Sequence, residues 1–115
     1  MNNFEYFSLI FFMLNACWEE NKDENLGYFL SEMNPYLWTD ISSADPAVYE
    51  EFKEFMKDKN LGTDNGFQLA KDYLKTAVFY KGLEKYLDEY DQDGWNDAMQ
   101  QLMSQPHKGE SVQTQ

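Results

Sequence analysis

Arginine is absent from this 115-residue chain, and its nine basic side chains are all lysine. Against them stand 21 acidic residues, for a net charge of −12. A protein that grips nucleic acid needs a basic footprint and commonly uses the guanidinium fork, so direct nucleic-acid binding is excluded. The single cysteine, Cys17, has no second thiol in the chain to pair with, which suits a reducing cytoplasm. The single histidine, His107, lies among polar residues. That removes histidine-dependent triads and Cys/His zinc clusters. No apolar run approaches the roughly 20 residues that a membrane-spanning helix requires. No cofactor, metal centre or membrane contact is therefore expected, and binding is favoured over catalysis.

Aromatic residues, in contrast, make up 17% of the chain. Disordered segments are poor in them, so the body of the chain should be ordered. The length fits one domain, and a chain of this size buries roughly two thirds of the surface its unfolded form exposes, so it folds without staples.

The first twenty residues admit two readings. Leu14-Asn15-Ala16-Cys17 after an apolar run looks like a lipoprotein cleavage box, but Glu5 stands where a signal peptide carries positive charge. Read as a helix, Glu5, Ser8, Asn15 and Glu19 form one narrow polar stripe, interrupted by Phe12, and nearly everything else is apolar. Such a helix belongs at the centre of a domain, and this reading is preferred.

Further helices follow with clear punctuation. Asp23 is a plausible N-cap for Leu26, Phe29, Leu30 and Met33, and Pro35 stops that helix. Asp45-Pro46 is an N-cap with proline at the first helical position, opening a helix with Val48, Phe52, Phe55 and Met56 inside. Thr63 is a candidate cap for Phe67, Ala70, Leu74 and Ala77. Phe79, Leu83, Tyr86, Leu87 and Tyr90 continue at helical spacing, which leaves open whether residues 67–90 form one helix or two. Asp93-Gly94 introduces Trp95, Ala98, Met99 and Leu102. No run alternates as a strand does. The expected fold is all-α: a compact single-domain bundle of five to six helices around a buried N-terminal helix, spanning residues 1–104. Residues 105–115 read as a flexible polar tail with His107 solvated.

Chemistry-bearing patterns are few. Placing Gly94 at the sixth position of a calcium loop puts Glu89, Asp91, Asp93 and Asp97 at positions one, three, five and nine. The first should be Asp, and the twelfth is Gln100 where a bidentate Glu belongs, so a helix cap is the better reading. Neighbouring carboxylates at Glu19-Glu20, Asp23-Glu24, Glu50-Glu51 and Asp88-Glu89 diverge by about 100° on a helix, which does not suit paired-carboxylate hydrolysis. Cys17 is expected to be a buried, inert thiol.

Charge distribution is more informative. Residues 1–54 hold 11 acidic side chains and 2 lysines, a net of −9, against 10 and 7, a net of −3, over residues 55–115. In the second part Lys81/Glu84, Lys85/Asp88 and Lys85/Glu89 are spaced to pair along a helix. An unbalanced acidic surface repels itself, and steering a basic partner is a reason to keep it.

Asn34-Pro35-Tyr36-Leu37-Trp38 and Ser43-Ala44-Asp45-Pro46-Ala47-Val48-Tyr49-Glu50-Glu51-Phe52 resemble segments of immunity proteins from bacterial contact-dependent growth inhibition systems. The resemblance extends loosely from about Phe29 to Leu102 and includes Trp95. It implies a small, often helical cytoplasmic protein that binds the C-terminal toxin domain of a large surface-displayed effector. Many such toxins are nucleases, including RNases that attack transfer RNA. The resemblance carries over no catalytic residues.

A nuclease site is basic because it holds phosphates, and an acidic helical protein can cover it while performing no chemistry. The expected partner is a cognate basic toxin domain, bound 1:1. The candidate contacts are Glu19, Glu20, Asp23 and Glu24, then Asp40, Asp45, Glu50 and Glu51, with Trp38 as an aromatic anchor. Two alternatives remain: an acidic DNA mimic, which would bind several unrelated DNA enzymes, and a small carboxylate-dependent hydrolase, for which no spacing speaks.

Overall fold

A reciprocal pair of hydrogen bonds starts the first helix. Asn2 Oδ1 accepts from the Glu5 amide and the Asn2 amide donates to Glu5 Oε1, each at 2.8 Å, a capping box that satisfies two otherwise orphaned donors. The computed structural model describes residues 1–62 and 64–110. Helix α1 runs Asn3–Asn21 and ends on Lys22, in the left-handed conformation with φ 53°. Its Phe4, Tyr6, Phe7, Leu9, Ile10, Met13, Leu14 and Cys17 are all buried. It packs against four other helices, so the helix with little polar surface does occupy the middle of the domain.

Five helices follow it: α2 (Glu24–Met33), α3 (Pro46–Met56), α4 (Gly66–Thr76), a single-turn α5 (Glu84–Leu87) and α6 (Gln92–Met103); the four that α1 packs against are α2, α3, α5 and α6. Among the described residues the fold is all-α, a bundle of six helices. Asp23 caps α2 through the Asn25 amide, Asp45 caps α3 through the Ala47 amide, and Asp91 caps α6 through the Gly94 amide. Each places a carboxylate at the positive end of a helix dipole. Asp91 thus serves the helix start that competed with the calcium-loop reading.

An aromatic network fills the space around α1. Phe7 meets Tyr49 at 5.1 Å and Phe52 at 5.0 Å between ring centroids, and Phe52 meets Tyr73 at 4.9 Å. Tyr6 and Phe67 both pack on Trp95, and the Tyr6 hydroxyl donates to the Gly66 carbonyl. The radius of gyration is 13.0 Å, the value expected of a compact chain of this length, about 13 Å.

One open question is answered and two expectations change. The stretch 67–90 is not one helix: α4 ends at Thr76, and the chain turns through Gly82, at φ 87°, before α5. The break turns Phe79 outward, 88% exposed, out of the helical pattern that the sequence suggested for it. Helical pairing along α5 fails for the same reason, since one turn has no length for it. Lys85 instead lies 4.0 Å from Asp23, and Asp88 pairs with Lys71 on α4 at 3.3 Å. Thr63 lies outside the described residues; Asn65 occupies the cap position of α4, its side chain closing the preceding loop on Gly62 and Asn60.

The other change concerns the polar segment after α6. Residues 105–110 are held against the domain, not free of it: the His107 side chain is only 10% exposed and reaches Glu5. Lys108 donates to two backbone carbonyls of the loop between α2 and α3. Polar composition did not make this segment loose, because the polar groups of α1 and of that loop supply its partners. Residues 111–115 of the expected tail lie outside the described residues.

Candidate functional site

The nine candidate residues fall into separate places. Glu19 and Glu20 stand exposed on the last turns of α1, Glu19 at 3.6 Å from Lys22. Asp23 has a structural task beyond its cap, because the Tyr86 hydroxyl of α5 donates to its Oδ2. That hydrogen bond holds the Asp23 carboxyl below its ordinary range, with the cap amides and Lys85 acting in the same direction. Glu24 accepts from the Tyr28 hydroxyl at 2.8 Å, which raises the phenol's pKa.

Trp38 lies in the loop between α2 and α3, half-exposed, with Nε1 donating to the Ala44 carbonyl at 3.1 Å. Tyr36 and Leu37 beside it are exposed to a similar degree. Asp40 is exposed in the same loop. The loop is internally braced: the Ala44 amide returns to the Asn34 carbonyl and the Asp45 amide to the Glu32 carbonyl, both at 2.9 Å. Ser43, fully buried, accepts from the Tyr49 amide. These bonds present three adjacent large side chains to solvent on an ordered frame.

Asp45 and Glu51 come together, whereas Glu50 does not join them. Glu50 pairs with Lys53 at 2.8 Å and lines a shallow groove with Glu54, Lys57 and Asn3. Glu51 lines a cleft of about 380 Å³ between α2, α3 and the segment that follows α4. The cleft walls are Phe29 and Glu32 from α2, Asp45, Val48 and Glu51 at α3, and Tyr73 with Ala77 to Tyr80 beyond. Three carboxylates thus share a lining that contains no lysine. Tyr80 donates to Glu32 Oε2 at 3.4 Å, and its ring stands 6.3 Å from Phe29 and 5.3 Å from the exposed Phe79.

Glu32, Phe79 and Tyr80 were not among the residues singled out from sequence. Glu32 carried a signal in the acidic excess of its half of the chain, but its approach to Asp45 depends on the α2–α3 crossing. Phe79 carried none, since its spacing matched a helical core position.

The cleft suits a cation. Carboxylates in its lining attract positive charge, and the Tyr80 and Phe79 rings belong to the same lining. Among the described residues no group of three His, Cys, Asp or Glu side chains is arranged to hold a metal ion. Cys17 is buried, its thiol pKa raised chiefly by burial. No helix among the described residues is long and apolar enough to cross a membrane. No family model matches the chain, and neither a curated protein nor a solved structure was found to match it.

Proposed function

We propose that the chain is a cytoplasmic immunity protein that binds a basic toxin domain, a nuclease by preference and an RNase in particular, and blocks it by stoichiometric cover. One observation carries this reading: the cleft between α2 and α3 gathers Glu32, Asp45 and Glu51 with the exposed ring of Phe79, the partly buried ring of Tyr80 and no lysine. Six of the nine lysines make an ion pair elsewhere, and none lines the cleft. A lysine or arginine of the partner entering there gains both carboxylate attraction and ring contact. The Tyr36 to Trp38 loop supplies an aromatic surface of the type in which interface energy concentrates. The net charge of −12 steers association with a positively charged surface. The segments that resemble growth-inhibition immunity proteins include both this loop and the Asp45 to Glu51 stretch.

The test is to look for a large exoprotein gene beside this one and to co-express the chain with that exoprotein's C-terminal domain. Restored growth together with a 1:1 complex on size-exclusion chromatography supports the reading. Continued killing overturns it, and binding to several unrelated DNA enzymes replaces it with DNA mimicry.

A further inference from the structure

The segment after α6 is fastened at four points. Asn2 Nδ2 donates to the Gly109 carbonyl at 2.8 Å. Gly109 itself lies so close to the buried ring of Phe4 that a Cβ there would overlap it. His107 bonds to Glu5 through Nε2 at 2.6 Å and faces the Gln105 carbonyl through Nδ1 at 2.7 Å. Lys108 Nζ donates to the carbonyls of Pro35 and Trp38, both at 2.5 Å. The first three fastenings hold the segment to the start of α1; the fourth holds the loop that carries Trp38.

The His107 geometry counts protons. A backbone carbonyl only accepts, so the contact with Gln105 requires a hydrogen on Nδ1. The 2.6 Å contact between Nε2 and Glu5 Oε2 requires a second hydrogen between two atoms that otherwise meet lone pair to lone pair. Whether that hydrogen rests on the ring or on the carboxyl, the Glu5–His107 unit carries one proton more than a carboxylate beside a neutral imidazole. Both side chains are nearly enclosed, at 5% and 10% exposure, which strengthens the bond and shields it from salt.

We propose that residues 105–110 form a proton-held clasp: the proton shared by Glu5 and His107 keeps the segment closed, and Lys108 then fixes the loop that presents Tyr36, Leu37 and Trp38. The clasp stands on its own geometry; its use in presenting the loop to a partner rests on the immunity reading. The charged groups around His107 are Glu5 from α1 and Glu110 from its own segment, the latter 3.9 Å from Nδ1. Helix α6 contributes only uncharged Gln101 and Leu102 there. Both acidic neighbours favour the bound proton and raise the His107 pKa, the hydrogen bond that the ring donates to Glu5 most of all. Lys108 faces Asp40, which favours its charge, while burial opposes it more strongly. Loss of the proton leaves Nε2 and the carboxylate opposed, the clasp loosens, and the two loop carbonyls lose their donor.

The chain has one histidine and three tryptophans, which makes NMR of the isolated protein decisive. The His107 Cε1–H signal should titrate at higher pH than in the urea-unfolded chain. The Trp38 indole N–H should move over the same pH range, while that of buried Trp95 stays fixed. Glu5→Gln, which preserves the capping box, should remove the upward displacement. Lys108→Met and His107→Gln should each shift the Trp38 indole at neutral pH toward its high-pH position. A His107 titration equal to that of the unfolded chain overturns the proposal, as does a Trp38 signal indifferent to pH, His107→Gln and Lys108→Met. An unfolded His107→Gln variant leaves the Glu5→Gln and Lys108→Met arms to decide. No partner takes part, so failure here leaves the immunity reading standing, and failure of toxin rescue leaves the clasp standing.

Discussion

Glu50 and Glu51 are neighbours in sequence and serve different sides of α3: Glu50 pairs with Lys53, and Glu51 lines the cleft with Glu32 and Asp45. Consecutive helical residues diverge by about 100°, so one acidic pair feeds two surfaces. If the cleft receives a basic side chain, Glu51→Lys should weaken the complex with the toxin domain by at least about tenfold, ~1.4 kcal/mol. Glu50→Lys, whose charge is already compensated and solvated, should change affinity by less than about threefold. Titration calorimetry on both variants reads the difference. Equal losses would move the contact away from the cleft.

The Tyr86–Asp23 hydrogen bond joins α5 to the start of α2 across 63 positions of sequence. Tyr86→Phe removes the donor while keeping the buried ring, and should cost about 1 kcal/mol, less than the roughly 1.5–3 kcal/mol of bonds to charged groups because Asp23 is partly solvated. The pH dependence follows from the lowered Asp23 pKa. A depressed carboxyl contributes its stability above the ordinary value of 3.8 and loses it as pH falls through the folded value. Urea midpoints of the wild-type chain and the variant should therefore differ at neutral pH and converge in acid below about 3.8. A difference that persists there would assign the effect to packing.

Local chemistry explains which parts of the molecule were legible in sequence. Asp23 and Asp45-Pro46 cap helices through amides two residues away, so their roles are written beside them. The burial of α1 was legible because its polar residues are too few to face water. The break before α5 was hidden, since Phe79, Leu83, Tyr86 and Leu87 keep helical spacing whether or not Gly82 turns the chain. The clasp was hidden more deeply: His107 finds Glu5 from 102 positions away and Asn2 finds Gly109 from 107, and no local pattern encodes such pairs. The cleft lies between these extremes. Glu51 and Asp45 stood out as charge, but Glu32 joins them only through the crossing of α2 and α3.

Cys17 is 5% exposed on the inner face of α1, and its Sγ approaches the Tyr86 carbonyl at 3.6 Å. Burial raises its pKa and thus lowers the thiolate fraction that reacts. A disulfide reagent such as DTNB should leave the native chain unmodified at neutral pH and label one thiol once urea unfolds it. The native-state labelling rate should track opening of the α1–α5 contact. Prompt labelling of the folded protein would place α1 nearer the surface than the structure does.

Gly82 and Gly109 both hold positive φ, at 87° and 89°, but differ in surroundings. A Cβ at Gly82 meets nothing within 4 Å, whereas one at Gly109 would stand 2.5 Å from Phe4 Cδ2. Gly82→Ala should thus cost only backbone strain, about 1 kcal/mol. At Gly109 the same strain combines with overlap against a ring that cannot retreat, because Phe4 is 1% exposed and packs edge-on against Tyr49 at 5.5 Å. Strain plus overpacking would reach about 2–4 kcal/mol. The segment has a cheaper response, which is to lift off α1. Gly109→Ala should therefore lower the melting temperature only by what the clasp contributes, and should return the His107 titration to that of the unfolded chain. Gly82→Ala should leave that titration where it is. A Gly109→Ala protein with an unchanged His107 titration would mean that the Glu5 contact holds without the rest of the segment.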